Sequence, residues 1–332
     1  MTKEIVLSGI RATARLHFGN FLGAVRNFVD FQSQGYQGLY FIADLHTLTT
    51  LKDPEELRRN LIEITKDYLA AGLDPNKSII YAQSSVPEIS ELSLLLSMLQ
   101  PMNELEGIAT LKDLVRNSKE KVNLGMLTYP VLMAADILGP QATLVPVGED
   151  QEPNVELARE LARRFNNRFG QTFVVPEMMK DMVMVPGLDG RKMSKSDSDN
   201  TIDINYTRDE ISKRYHARGV TDTQRLRVSD PGDPYNRCRS VYPVHEIVTP
   251  FEREKRTIAN LCLGGNIGCR TCKGILVDSI AAVLEPFQAA RADLASKDAM
   301  VREILHEGGI RARAIIRPTL EAVQDKMGVV VY

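Results

Sequence analysis

Ile5-Val6-Leu7-Ser8-Gly9-Ile10-Arg11-Ala12-Thr13-Ala14-Arg15-Leu16-His17-Phe18-Gly19-Asn20 reads as a buried strand, a loop and the opening of a helix. The run at 5–7 is apolar and β-branched, and Phe18, Phe21, Leu22, Val25, Phe28 and Val29 then recur at helical spacing. The same alternation continues. Short apolar runs at 39–43, 79–82, 142–147 and 173–175 are separated by helical patterns, one of which spans 57–72 and stops at a Gly followed by Asp-Pro. Near-continuous apolar strands alternating with helices predict an α/β fold, a Rossmann-like doubly wound parallel sheet covered on both faces. Past about residue 197 the strand signal fades. Residues 276–295 and 300–327 read as helices, the second with an interruption expected at Pro318. The expected organisation is a catalytic domain over 1–190 and a smaller α-helical domain over 191–295, with a C-terminal helix at 296–332 packing back on the first.

Composition narrows the class. The chain has 332 residues, 41 Lys+Arg against 43 Asp+Glu, 43% hydrophobic residues, four Cys and no Trp. That is enough chain for about two domains, and a charged fraction of 25% excludes collagen-like and disordered classes. No apolar run reaches the ~18 residues of a membrane span. The start, Met1-Thr-Lys-Glu-Ile-Val-Leu, shows no secretion signal, so a cytoplasmic address is expected. Residues 201–275 hold an excess of Lys and Arg over Asp and Glu in a chain of net charge −2. Such a region suits a polyanion such as RNA, although scattered solvated arginines would give the same count.

Two motifs carry the chemistry. In the first, His17 and Asn20 stand one turn apart at a strand–helix junction. There both can donate to phosphate or ribose, free amides meet a triphosphate, and Gly19 permits close approach. Alone, H-x-G-N is also an ordinary helix start. The second is Lys192-Met193-Ser194-Lys195-Ser196, preceded by Pro186-Gly187 and Asp189-Gly190-Arg191. Two lysines three apart in a Gly- and Ser-rich loop can close on a developing pyrophosphate and stabilise its charge. A single such string is also a common solvated linker.

The pair resembles the two signatures of class I aminoacyl-tRNA synthetases, most closely the tryptophanyl-tRNA synthetases. Tyr129-Pro-Val-Leu-Met133-Ala-Ala-Asp136, Val145-Pro-Val-Gly148-Glu149-Asp150-Gln151 and the helix 156–166 agree with that family, and the likeness covers nearly the whole chain. The resemblance implies ligation of tryptophan to tRNA through an adenylate, with Mg-ATP as substrate and a homodimer as the working form. It implies that Asp136 accepts the indole N–H, with Leu7, His46, Tyr129, Met133 and Gln151 around the ring. A buried carboxylate without a competing partner would reward a ligand that donates N–H. It implies ATP contacts from Arg11, Ala12, Thr13, His17, Gly19, Asn20, Gly148, Glu149, Asp150, Met182, Val183, Met193, Ser194 and Ser196. Lys192, Lys195 and Lys112 are implied to act in the chemical step.

One departure stands out. Where the family has Gln or Arg followed by Pro-Thr-Gly, this chain has Arg11-Ala12-Thr13-Ala14. Loss of the proline is expected to free the loop, and Ala14 where a Gly could take positive φ to cost on the order of 1 kcal/mol; weaker ATP binding is expected, with Ala14→Gly as the test. Tyrosyl-tRNA synthetases and other H-x-G-N nucleotidylyl transferases share the class. An auxiliary or non-catalytic paralogue that binds tRNA or a partner protein is the alternative.

The cysteines Cys238, Cys262, Cys269 and Cys272 read C-x23-C-x6-C-x2-C within the positive region. Four thiolates from so short a span suit a [4Fe–4S] cluster or a tetrahedral Zn²⁺. Some bacterial members of the family carry nearly this spacing around a [4Fe–4S] cluster, so the resemblance favours the cluster. Its expected task is to shape a loop bearing Arg225, Arg227, Arg237 and Arg239 for the anticodon.

Overall fold

A computed structural model describes residues 4–13, 15–108, 111–112, 116, 122–179, 183–193 and 197–329, with Glu149 described by its backbone alone. The strands are β1 (Ile5–Arg11), β2 (Gln37–Ala43), β3 (Ile79–Ala82), β4 (Leu144–Pro146) and β5 (Glu177–Met179). The helices of seven residues or more are α1 (Arg26–Ser33), α2 (Pro54–Ala70), α3 (Pro87–Ser97), α4 (Leu124–Leu138), α5 (Glu152–Phe169), α6 (Arg208–Arg218), α7 (Tyr242–Val248), α8 (Glu252–Leu263), α9 (Cys269–Asp293) and α10 (Asp298–Met327). The chain forms two compact units. One comprises residues 1–15, 28–182 and 297–332, the other residues 16–27 and 183–296.

The first unit holds the sheet. Its order is β3-β2-β1-β4-β5, and every pair is parallel. This is the expected doubly wound class. Leu7 of β1 lies beside Leu39 of β2, and Leu39 beside Ile79 of β3, so one apolar row crosses the sheet into the core. Helices α3, α4, α5 and α10 supply the other side of that core, with Leu92, Val131, Leu161 and Ile316 fully buried. α10 runs unbroken through Pro318, so the expected interruption is absent. It packs on β3 through Gly308, where any Cβ would overlap the Ile80 carbonyl.

The last strand is displaced from its predicted place. Residues 173–175 belong to no strand and Phe173 is buried; β5 forms four residues later, after Pro176. Side-chain amides explain the shift. Asn166 Oδ1 accepts from the amides of Thr172 and Phe173 at 2.9 Å each, Asn166 Nδ2 donates to the Phe173 carbonyl, and Gln141 Oε1 accepts from Val174. Backbone groups satisfied in this way have nothing left to offer β4.

The second unit is helical. His17 caps the turn Phe18–Asn20, which passes into a π-helical turn at Phe21–Val25. Helices α6 and α9 pack side by side, and Phe21 meets Phe287 with ring centroids 5.0 Å apart.

Candidate active site

In an open parallel sheet, ligands bind beyond the carboxyl ends of the strands, where the order reverses. Here the reversal falls between β1 and β4, and the residues that follow the strands converge chemically. Asp136, on α4, is 2% exposed. Its Oδ2 lies 3.0 Å from His46 Nε2, and Gln83 Nε2 donates to Oδ1 at 3.0 Å and to Oδ2 at 2.8 Å. His46 follows β2 and Gln83 follows β3 directly. The amide of His46 donates back to Gln83 Oε1 at 3.3 Å, which fixes the carboxamide with its nitrogen toward Asp136. Burial raises the Asp136 pKa above the ordinary carboxylate value, while hydrogen bonds from His46 and Gln83 oppose the rise.

The expectation that nothing competes for this carboxylate is therefore wrong. Two side chains already hold it, because a charge buried this deeply needs partners when no ligand is bound. A carboxylate offers about four lone-pair sites, and Oδ1 is engaged once. Tyr129 lies two turns earlier on α4, its ring 4.5 Å from that of His46, and His46 Nδ1 is buried with no partner among the described residues. The i, i+4, i+7 spacing of Tyr129, Met133 and Asp136 puts all three on one face of α4. Leu7 is buried in the sheet core, with Met133 half-buried against it. Gln151 donates to Asp150 Oδ2 at 2.9 Å and accepts from Asn154, just beyond β4 and Gly148.

At the end of β1, Arg11 Nη2 donates to the hydroxyls of Thr49 and Thr50 at 3.1 and 2.6 Å. Burial pulls its pKa down. Ala12 is fully buried, its amide bonded to Thr47 Oγ1 at 2.8 Å and its carbonyl to Asn60 Nδ2 at 2.8 Å. The loop is thus not freed at this position by the missing proline. Lys112 is exposed in the same unit.

The second unit carries the other half of the nucleotide motifs. His17 Nδ1 accepts from the Asn20 amide at 3.2 Å, so the neutral ring carries its proton on Nε2. The Phe18 amide donates to the Ile202 carbonyl at 2.8 Å. Two of the helix-start amides expected to meet phosphate are therefore already bonded. Asn20 Oδ1, in contrast, is buried without a partner among the described residues. A Cβ on Gly19 would stand 3.0 Å from the His17 ring and 3.2 Å from Met193 Cβ, so a side chain here would push these segments apart by a few tenths of an ångström. Residues 186–192 form a tight turn. Gly187 donates to Arg191, and Asn200 Oδ1 accepts from the Asp189 amide. Met193 is buried, whereas Lys192 and Val183 are exposed. Ala14, Met182, Ser194, Lys195, Ser196 and the side chain of Glu149 lie outside the described residues.

Cys238, Cys262, Cys269 and Cys272 line one cavity, together with Asp222, Arg225 and Tyr242. Cys262 is at the end of α8, and Cys269 and Cys272 are on the first turn of α9. Burial raises the thiol pKa of Cys238 and Cys262 and pushes that of Cys272 up to about 12. Among the described residues no group of three His, Cys, Asp or Glu side chains is disposed to hold a single metal ion. Of the four arginines, Arg225 and Arg237 are tied into the loop, the first to the carbonyls of Arg227 and Val228, the second to Asp222 at 3.3 Å. Arg227 and Arg239 are exposed.

Sequence reasoning missed Gln83, Asp44, Thr47 and Asn60. The first two had a signal, since each directly follows a strand. Asp44 is buried and accepts from the Ser84 amide at 2.9 Å.

Residues 2–276 match the family model described as tRNA synthetases class I (W and Y). Among curated proteins, the tryptophan–tRNA ligase of Thermotoga maritima is 39% identical over 97% of this chain and 98% of its own. That of Deinococcus radiodurans is 40% identical over 97% and 98%. Among solved structures, the tryptophanyl-tRNA synthetase of Campylobacter jejuni complexed with ADP and tryptophan superposes with a TM-score of 0.84 at 34% identity, covering 98% of this chain and 99% of that one. The parallel sheet order, the family match and these relatives agree: the chain belongs to the class I tryptophanyl-tRNA synthetases.

Proposed function

We propose that the chain ligates L-tryptophan to its cognate tRNA in two steps, and that Asp136 selects the amino acid. One observation carries the reading: a carboxylate 2% exposed, braced by His46 and Gln83, with accepting capacity left on Oδ1. An indole N–H satisfies that capacity; phenylalanine or an aliphatic side chain leaves it unpaired, which costs about 1–3 kcal/mol or more for a charged group. Tyr129, Met133, His46, Leu7 and Gln151 are the inferred surroundings of the ring.

In the first step a tryptophan carboxylate oxygen forms a bond to the α-phosphorus of Mg-ATP as the bond to pyrophosphate breaks. The ATP contacts inferred for this chain are Arg11, Ala12, Thr13, His17, Gly19, Asn20, Gly148, Glu149, Asp150, Val183 and Met193. Met182, Ser194 and Ser196 complete the inferred set. Lys192, Lys195 and Lys112 supply positive charge to the departing pyrophosphate, which is electrostatic work and needs no side-chain nucleophile. In the second step a terminal ribose hydroxyl of tRNA attacks the adenylate carbonyl and AMP leaves. Positioning of the reactants supplies most of the rate.

The second unit is the inferred anticodon-binding module. A [4Fe–4S] cluster, with Zn²⁺ as the alternative, is the inferred occupant of the cavity that Cys238, Cys262, Cys269 and Cys272 line, a choice that rests on the spacing of the four thiols. Buried thiols with raised pKa values also need a cationic group to ionise. Such a cluster would cross-link the Cys238 loop, α8 and α9, with no redox role in the reaction. A homodimer accords with an apolar exposed face on the first unit: Leu94, Met98, Met102 and Leu124 are 57%, 68%, 55% and 72% exposed. The cytoplasm is the inferred location.

The test uses purified protein with two assays. Tryptophan-dependent ATP–pyrophosphate exchange is expected, with no exchange on tyrosine, together with charging of tRNA by tryptophan. Charging absent while tRNA still binds would support the auxiliary reading instead. Exchange with tyrosine in preference to tryptophan would overturn the assignment to Asp136.

A further inference from the structure

We propose that the Thr47 hydroxyl is a positioning residue that clamps the nucleotide loop at Ala12, in place of the ring that a proline would contribute there. The proposal rests on residues 11–20 being the ATP loop. Ala12 is fully buried, yet both of its backbone groups are satisfied from outside the loop. Its N–H donates to Thr47 Oγ1 at 2.8 Å, and its carbonyl accepts from Asn60 Nδ2, on α2, at 2.8 Å. Thr47 is itself fully buried, and its hydroxyl donates to the Ala43 carbonyl at the end of β2 at 2.6 Å. The hydroxyl thus uses an acceptor and its donor at once and ties the ends of β1 and β2 together.

Only a residue with an N–H at position 12 can make this bond, and proline cannot. A proline would restrict φ covalently. Here two hydrogen bonds with fixed partners restrain the same residue. The clamp lies one residue from His46, which holds Asp136, and two residues before Thr49, whose hydroxyl takes Arg11. A single turn, residues 44–50, therefore supports the amino-acid pocket with one residue and the nucleotide loop with its neighbours. This division makes a selective effect possible: loss of the Thr47 hydroxyl should disturb ATP and leave tryptophan alone.

The experiment compares wild type with Thr47→Val, which keeps the branched shape and removes the hydroxyl, and with Thr47→Ser, which keeps the hydroxyl. Three quantities are read: the ATP KM in tryptophan-dependent exchange, the Kd for ATP alone by equilibrium dialysis, and the Kd for tryptophan alone by calorimetry. Thr47→Val is expected to raise ATP KM and Kd about tenfold, the size of one buried hydrogen bond, with tryptophan Kd within twofold of wild type. Thr47→Ser should stay near wild type in all three. Unchanged ATP binding in Thr47→Val, or equal losses for ATP and tryptophan, would overturn the clamp. If wild type shows no exchange at all, the functional reading fails, and ATP dialysis still reports on the loop. Should Thr47→Val not fold, hydrogen exchange of the Ala12 amide in wild type decides. Slow exchange before ligand is added is expected, and exchange at the rate of an open loop would refute the proposal.

Discussion

Asp136 answers to two demands that a single substitution separates. Its burial costs free energy when it is charged, which is why its pKa is raised, and His46 and Gln83 recover part of that cost. Between the ordinary carboxylate value of about 4 and the raised folded value, the native state binds more protons than the unfolded chain. Its contribution to stability is therefore full below the ordinary value and is lost as pH rises through the folded one. Asp136→Asn removes the buried charge and keeps the shape. The variant is expected to melt no lower than wild type at neutral pH, yet to bind tryptophan about 10–100-fold more weakly, the worth of a hydrogen bond to a charged group. Calorimetric titration beside a thermal melt checks both. Wild-type affinity should also fall on acidification at a pH above the ordinary carboxylate range, as the raised pKa is crossed, while Asp136→Asn stays flat there. Asp136, His46 and Tyr129 were legible in the sequence because a motif carried them. Gln83 had only its place after a strand to mark it, and an amide there looks like any loop residue until the carboxylate opposite it is placed.

At the level of elements, alternating apolar runs and helical periodicity identified four of the five strands, since a buried parallel strand needs only apolar residues and little else. The fifth was misplaced by side chains whose effect no apolar pattern reveals: Asn166, at the end of the preceding helix, and Gln141, 33 residues from Val174, occupy the backbone of residues 172–174. The π-helical turn at Phe21–Val25 was equally invisible, because one extra residue per turn leaves the apolar stripe nearly intact. Helix packing also decides what a small change does. On α10, a methyl at Gly308 would run into the Ile80 backbone, which cannot retreat without breaking the β2–β3 ladder; on α9, Gly274 has nothing within 4 Å of a new Cβ. Gly308→Ala is expected to cost about 1–3 kcal/mol through overpacking. Gly274→Ala should be neutral or stabilising by up to about 1 kcal/mol through helix propensity. Denaturant melts of both variants would show the same chemical change with opposite signs.

At the level of the whole molecule, the second unit joins the cysteine-bearing loop and the turn before Lys192 in one hydrogen-bonded frame. Its basic, cysteine-bearing loop was evident from composition, but not its attachment to the base of the lysine turn. Ser240 donates to the Val220 carbonyl at 3.1 Å, Val220 donates to Leu188 at 2.8 Å, and Leu188 donates to Asn200 at 3.1 Å. Gly190 faces Arg239 so closely that a Cβ would stand 2.5 Å from that of the arginine. Damage at Cys238 can therefore reach the lysine turn as well as Arg227 and Arg239, the arginines proposed to meet tRNA, and the two routes predict different losses. If the cysteines mainly shape the loop bearing Arg227 and Arg239, Cys262→Ser should lower tRNA charging efficiency about tenfold, roughly 1.4 kcal/mol of binding, with exchange changed less than about threefold. Iron, acid-labile sulfide and zinc measured on the same preparation identify what the four thiols hold. Equal losses in charging and exchange would instead mean that the frame transmits the damage inward, and the cysteine cavity would then serve adenylate formation as directly as it serves tRNA.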